Sequence, residues 1–223
     1  MIEVENISKQ FRSGRGLVNA LDDVTLRLTS SSNAVVFGKS GSGKTTLLNC
    51  TGGLDRPDKG RVSFFGVDLH SLDEKSLCLF QRRNTGFLFQ NSNLLTYLSV
   101  FQNVAFPLEL NGYDSKNIKK RVSELLDITG LNGFDKAMPD ELSGGEAQRV
   151  AFARSIAHSP RVILADEPTA SLDSETGIEL VRFMFQTGSE QECIMIIATH
   201  DKDIMRLADV KVEMRDGKII EEG

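Results

Sequence analysis

A phosphate chain is the natural ligand of Gly38-Lys39-Ser40-Gly41-Ser42-Gly43-Lys44-Thr45, in which Gly-x-x-x-x-Gly-Lys-Thr places glycines, a cation and a hydroxyl in order. Glycines let the backbone wind tightly enough for its N–H groups to converge on phosphate oxygens, and a helix starting there adds a favourable dipole. Lys44 supplies the cation and Thr45 an oxygen for Mg²⁺. The apolar run AVVF before the loop and the helical run TTLLNCTGG after it provide the strand–loop–helix context that the pattern needs. A glycine-rich turn that only caps a helix would not require Lys-Thr at its end. The loop reads as the holder of a nucleoside triphosphate.

Such a loop needs an acid to bind metal, and the apolar strand in RVILADEP (161–168) ends in Asp166-Glu167. Asp166 is placed to hold Mg²⁺, directly or through water. Glu167 follows where a carboxylate can polarise a water for attack on the γ-phosphate. A second anion site is suggested by DELSGGEAQRV (140–150), where Ser143, Gly144 and Gly145 lead into a helix. Ser143 and Glu146 also fit the capping box S-x-x-E, which explains both residues without a ligand but leaves the two glycines unexplained. His200 follows the apolar run CIMIIA, at the strand end where parallel sheets gather ligands. His70 and His158 have no such context and read as surface or packing residues.

The elements that must carry these groups follow from hydrophobic patterning. Short apolar runs at 34–37, 86–89, 162–165 and 193–198 have the length and β-branched content of buried strands, and longer helical patterns separate them. That alternation predicts an α/β fold, a P-loop NTPase core with a mixed, mostly parallel sheet. The N-terminal MIEVENISKQF with VTLRLT, and VKVEM with KIIEE across Asp216-Gly217, predict antiparallel hairpins at the edges. Strand signals vanish between 91 and 160, where apolar residues recur at helical spacing. One domain over 1–223 is expected, with an α/β core from 1–90 and 161–223 and an inserted helical subdomain over 91–160.

Composition removes several other classes. The net charge of -5 gives no electrostatic footprint for nucleic acid. Cys50, Cys78 and Cys193 are far apart and suggest neither a disulfide framework nor a zinc site. No stretch approaches the ~18 apolar residues that span a bilayer, and the N-terminus is charged, so the chain is expected in the cytoplasm.

Taken together the motifs resemble those of the nucleotide-binding subunit of an ABC transporter, and the likeness runs essentially end to end. LSGGE resembles the family's signature loop, ASLD (170–173) its dimer-contacting loop, ATHD (198–201) its switch histidine, and Gln90, ending GFLFQ, its glutamine lid. The resemblance implies ATP and Mg²⁺ as cofactors, with Thr45, Gln90 and Asp166 toward the metal and Glu167, His200 and Gln90 toward hydrolysis. It extends the nucleotide contacts to Thr46 and Asp173, and places Phe11 where the family keeps a ring for stacking on adenine. A core phenylalanine is the other reading of Phe11. The signature loop most often ends in Gln, so Glu146 is a departure, and its carboxylate either faces the γ-phosphate or folds back to cap its own helix.

The family's architecture further implies an ATP-bound homodimer, head to tail, and an integral membrane permease as partner. The chain would lie peripherally on the inner face of the cell membrane. GGLDRPDKG (52–60), GFLFQNSNLLTYLSVFQNVAFPLELNG (86–112) and EMRDGKI (213–219) resemble the branch of lipoprotein-releasing, macrolide-efflux and cell-division ATPases. Leu and Phe after Gln90 would form a groove for a short permease helix, or simply subdomain core. A soluble ABC-type ATPase usually carries paired nucleotide units or a long coiled coil, and this chain shows neither; a nucleotide kinase would need an acceptor-nucleotide pocket and has no use for LSGG. The loop at 38–45 generates a direct expectation: Lys44→Ala lowers MgATP affinity about tenfold or more, as loss of a charged hydrogen bond predicts, while leaving the circular dichroism spectrum unchanged. Equilibrium binding of a labelled ATP checks it, and unaltered affinity contradicts the assigned role.

Overall fold

The fold is described from a computed structural model, for residues 1–14, 16–29 and 32–222. Its larger sheet has six strands in the order β10-β9-β3-β8-β7-β6. These are β3 (Asn33–Phe37), β6 (Thr85–Leu88), β7 (Val162–Asp166), β8 (Ile194–Thr199), β9 (Val210–Arg215) and β10 (Lys218–Glu222). All neighbours run parallel except β9 and β10. Every residue of β8 is buried, as a central strand covered on both faces requires.

Side chains alternate between two cores because successive residues of a strand face opposite ways. Val35, Ile163, Ala165, Met195 and Ile197 join one face. Ala34, Val36, Val162, Leu164, Ile194 and Ile196 join the other. On this second face lie α1 (Lys44–Thr51) and a four-stranded antiparallel sheet. That sheet consists of β1 (Ile2–Ser13), β2 (Gly16–Leu28), β4 (Lys59–Phe64) and β5 (Val67–Asp68), in the order β2-β1-β4-β5. The exposed helix α2 (Glu74–Asn84) then leads into β6.

Antiparallel pairing at both ends of the chain appears as the pattern implies, but the two hairpins join different sheets. The C-terminal one turns at Asp216 and Gly217, both with positive φ, as the two-residue I′ turn demands. Its first strand, β9, then pairs parallel with β3. The turn also braces the nucleotide loop, since the Gly217 N–H donates to the Ser42 carbonyl at 3.0 Å and Asp22 N–H donates to the Gly217 carbonyl at 2.9 Å.

Between β6 and β7 the described residues form helices and loops: α3 (Val100–Leu110), α4 (Ser115–Ile128) and α5 (Gly144–Ile156). α6 (Ser174–Glu190) and α7 (Lys202–Met205) follow β7 and β8. Ser99 caps α3 in a capping box with Gln102, and Asp114 caps α4. The apolar faces of α3, α4 and α5 share one continuous core with the sheet face that bears Val35 and Ile163. The spacing after Gln90 thus divides: Val100, Val104 and Leu108 are core, whereas Tyr97, Phe106 and Leu110 are exposed.

This helical layer comes close to the sheet at Gly86 of β6, where an added Cβ would lie 2.3 Å from the Ser155 carbonyl oxygen of α5. Gly86→Ala therefore forces backbone apart and destabilises the fold by about 1–3 kcal/mol. Thermal melting checks this against Gly14→Ala as control, since a Cβ at Gly14 meets nothing within 4 Å and its φ lies outside the left-handed region.

Candidate nucleotide site

Parallel register brings the reactive residues together. Phe37 at the end of β3 stands opposite Thr199 of β8, and Asp166 of β7 opposite Ala198. The segments that follow, from Gly38, Glu167 and His200, therefore emerge side by side at the carboxyl edge of the sheet. They line an open cleft of about 1200 Å³ together with Lys39, Ser40, Gly41, Gly43, Lys44, Thr45, Thr46 and Gln90.

Glycine is obligatory at the two ends of the loop. A Cβ at Gly38 would lie 2.3 Å from the Met214 carbonyl oxygen, and one at Gly43 would lie 2.4 Å from that of Ala20. Both also have positive φ. α1 starts at Lys44 with no side chain capping its first amides, which leaves those donors for an anion. The Lys44 side chain is buried, and its Nζ donates to the carbonyls of Gly38 at 2.9 Å and Lys39 at 3.2 Å. It also lies 3.7 Å from a Glu167 carboxylate oxygen. A cation held this way is aimed across the loop rather than into solvent.

Thr45 Oγ1 donates to Asp166 Oδ2 at 2.8 Å, and Asp166 Oδ1 is buried without a partner. Burial holds the Asp166 carboxyl above the usual carboxylate range, opposed by the Thr45 hydrogen bond and aided by the nearby Glu167 charge. Glu167 adopts φ of 46°, a left-handed conformation costly for a residue with a side chain, and its N–H donates to the Ala198 carbonyl at 2.8 Å. The strain turns its carboxylate into the cleft. There Glu167 Oε2 sits 2.9 Å from His200 Nδ1.

Two expected groups lie elsewhere in the chain. Ser143 to Glu146 do not line the cleft. Their capping box is formed: Ser143 N–H donates to Glu146 Oε2 at 2.8 Å, Ser143 Oγ to the same oxygen at 2.6 Å, and Glu146 N–H to Ser143 Oγ at 3.4 Å. The Ser143 hydrogen bonds hold the Glu146 carboxyl below its usual range. Of the two orientations open to Glu146, the fold takes the one turned back on its own helix. Asp173 caps α6 by accepting from Thr176 N–H at 3.0 Å. Its loop neighbours the first, because a Cβ at Gly144 would lie 3.6 Å from the Ser171 carbonyl oxygen.

Phe11 is 43% exposed, which excludes the core reading. It pairs across the β1–β2 ladder with Val18, a lining residue of the cleft, and Lys9 Nζ lies 5.4 Å from its ring centre. His70 and His158 are packing residues whose ring nitrogens are buried without partners, and burial lowers both pKa values. Motif reasoning did not find Val18, Asn19 and Lys202 on the cleft wall, because no spacing rule marks them. Gln148 was also missed: 1% exposed, it donates to the Gln90 carbonyl at 2.8 Å.

Known proteins share this sequence pattern and fold. The ABC transporter family matches over residues 21–170. The chain belongs to the ABC transporter family. It is 38% identical to the methionine import ATP-binding protein MetN of Photobacterium profundum, over 100% of this chain and 65% of that protein. It is 40% identical to methionine import ATP-binding protein MetN 1 of Yersinia pestis, over 99% of this chain and 64% of that one. A dimeric structure of the ATP-binding cassette MJ0796 bound to ADP and Pi superimposes with a TM-score of 0.92 at 33% identity, covering 100% of this chain and 98% of that one. The chain spans about 65% of the length of these curated relatives.

The named relatives correct one expectation: they are import proteins, not members of the lipoprotein-releasing, macrolide-efflux or cell-division branch. The stretches that suggested that branch are governed by demands of the fold. In GGLDRPDKG, a Cβ at Gly52 would meet the Phe87 ring at 2.6 Å, and one at Gly60 would meet the Glu5 carbonyl oxygen at 2.3 Å. Those glycines report tight packing in this fold, not cargo.

The raised pKa of Asp166 yields a prediction with a definite sign. A carboxyl whose folded pKa exceeds its unfolded value favours the fold when protonated, so stability is lost as pH rises through the folded pKa. Asp166→Asn removes that cost and should raise the neutral-pH melting temperature of the nucleotide-free protein by about 1–2 °C, a small effect because solvent screens a half-exposed group. The same variant should lose Mg²⁺-dependent nucleotide binding. Calorimetry with and without MgATP checks both.

Proposed function

We propose that the chain binds and hydrolyses MgATP as one half of a head-to-tail homodimer whose closure drives a separate membrane permease. One observation carries this reading. Gly144 and Gly145 have ordinary φ, and an added Cβ at either would find nothing nearer than 3.6 Å. Their own chain has no need of glycine, yet a ligand or second chain pressed against the start of α5 would. That helix start lies outside the cleft holding Lys44, so the chain has one phosphate loop and a spare anion-binding terminus. Two chains arranged head to tail use both.

Within each composite site, Gly38 to Thr46 hold the phosphates and Phe11 stacks on the base. Ser143, Gly144, Gly145 and Asp173 of the opposing chain complete the enclosure. Thr45, Asp166 and Gln90 would hold Mg²⁺, since an all-oxygen set with a buried, unpartnered carboxylate oxygen suits a hard cation. When bound, such an ion would supply neutralisation of phosphate charge. Glu167 accepts a proton from the attacking water, and His200, 2.9 Å away, fixes that carboxylate and contacts the γ-phosphate. ATP closes the pair where ADP does not, because the γ-phosphate supplies the anion facing the opposed helix terminus.

Among the described residues no helix is long and apolar enough to cross a membrane. The permease supplies the span, and the cassette docks on its cytoplasmic side. Tyr97, 74% exposed, with Phe106 and Leu110, offers the apolar contact for a permease helix after Gln90. Cargo is read by that partner. The import ATP-binding names of the relatives and the dimeric cassette support the subunit role over a soluble ATPase.

Mixing complementary variants tests the shared site. Gly144→Asp blocks the helix start, and Lys44→Ala the phosphate loop, so each homodimer should be inactive. Together they should regain hydrolysis, since one composite site combines the intact loop of each chain. Demonstrated heterodimers with no recovery, or normal turnover by Gly144→Asp alone, overturn the shared-site reading.

A further inference from the structure

Residues 90–99 contain no helix or strand, yet side chains from two helices hold the segment. Gln148 Nε2 donates to the Gln90 carbonyl at 2.8 Å. One and a half turns further along α5, Arg154 donates to the carbonyls of Ser92 and Asn93, both at 2.8 Å. Asn103 of α3, fully buried, donates to the carbonyls of Leu95, Leu98 and Ser99 and accepts from Leu95 N–H at 2.8 Å. The connection to β6, by contrast, is continuous backbone ending in the sheet at Leu88.

We infer that Gln148 is a positioning residue for hydrolysis, which couples the start of α5 to Gln90 by holding the Gln90 main chain against that helix. The start of α5 is the Ser143–Gly145 terminus, and Gln148 lies on the same rigid helix, little more than one turn away. Any displacement of that terminus on dimer closure is therefore carried to the Gln90 carbonyl through one short hydrogen bond. Arg154 carries the adjoining residues in the same sense, so Gln90 moves with the signature helix and its approach to the phosphates depends on where that helix lies.

The inference rests on the assignment of Gln90 to the nucleotide site. The acceptor side of the Gln148 amide strengthens it: Oε1 is buried without a partner. A buried amide using only its donor gives the core little net stability, so its hydrogen bond is better explained by placing Gln90 than by holding the fold. For the same reason Gln148→Met, which keeps the shape and removes both the donor and the orphaned acceptor, should fold with nearly unchanged melting temperature.

The test is a double-mutant cycle on MgATP turnover by the intact chain, using Gln148→Met, Gln90→Ala and the combination. Gln148→Met should lower kcat about fivefold to tenfold, the kinetic equivalent of one buried hydrogen bond, with the KM for ATP little changed. In the Gln90→Ala background the same change should cost less than about twofold, because the side chain being positioned is already gone. Additive losses, with Gln90→Ala itself impaired, overturn the Gln148 inference alone. A Gln90→Ala chain with wild-type turnover overturns both the inference and the role of Gln90. Deuterium uptake supplies a structural readout: exchange across 89–94 should rise in Gln148→Met while β7 and β8 stay protected, and unchanged uptake there overturns the coupling.

Discussion

The parallel register of β3, β7 and β8 is the constraint on which the rest of the molecule depends. It sets the ends of three buried strands level, so that the phosphate loop, the Asp166–Glu167 pair and His200 leave the sheet at one edge. No one of these segments makes a site alone. The register holds because both faces of the strands are buried, and a slip by one residue would exchange the apolar sets committed to the two cores.

At that edge the fold concentrates groups that are individually unfavourable. Lys44 is buried, Asp166 keeps one carboxylate oxygen without a partner, and Glu167 occupies a left-handed conformation. The backbone strain and the unpartnered oxygen cost stability in the free protein, and on the proposed function a polyanion with its counter-cation would offset the charges gathered there. Backbone strain and an unpartnered buried carboxylate oxygen at one place mark a candidate functional site.

α5 connects this edge to a surface the chain does not itself use. Its first turn presents Gly144 and Gly145 where the chain has room for larger residues, while its last turns lie against β6 and the core. Gln148 and Arg154 between these ends hold the segment after Gln90. On the proposed function the helix would act as a lever, with the candidate anion site at its tip and the linkage to Gln90 at its middle. Glu146 fits that arrangement because its carboxylate is spent on its own cap, leaving the helix start no extra negative charge directed outward.

Much of the phosphate site was legible in the linear chain, since the loop is contiguous and the context of strand, glycines and helix is local. The apolar runs likewise marked the buried strands, as burial on both faces leaves no polar alternation to obscure them. β4, β5 and α2 were not marked: they are short or exposed, and the pairing of β4 with β1 and of β5 with β4, rather than their own composition, makes the strands. Periodicity alone did not separate Val104 and Leu108 in the core from Phe106 and Leu110 at the surface, and left Phe11 between core and ligand contact. By itself the sequence determined which side chains are candidates for chemistry, because phosphate binding, metal ligation and base catalysis each call for particular side chains at fixed local spacing. Only the tertiary structure decided that Glu146 turns back on its helix, that branch-like glycines serve close packing, and that Gln148 meets Gln90. Those outcomes depend on contacts between residues distant in the chain, whose geometry no local spacing specifies.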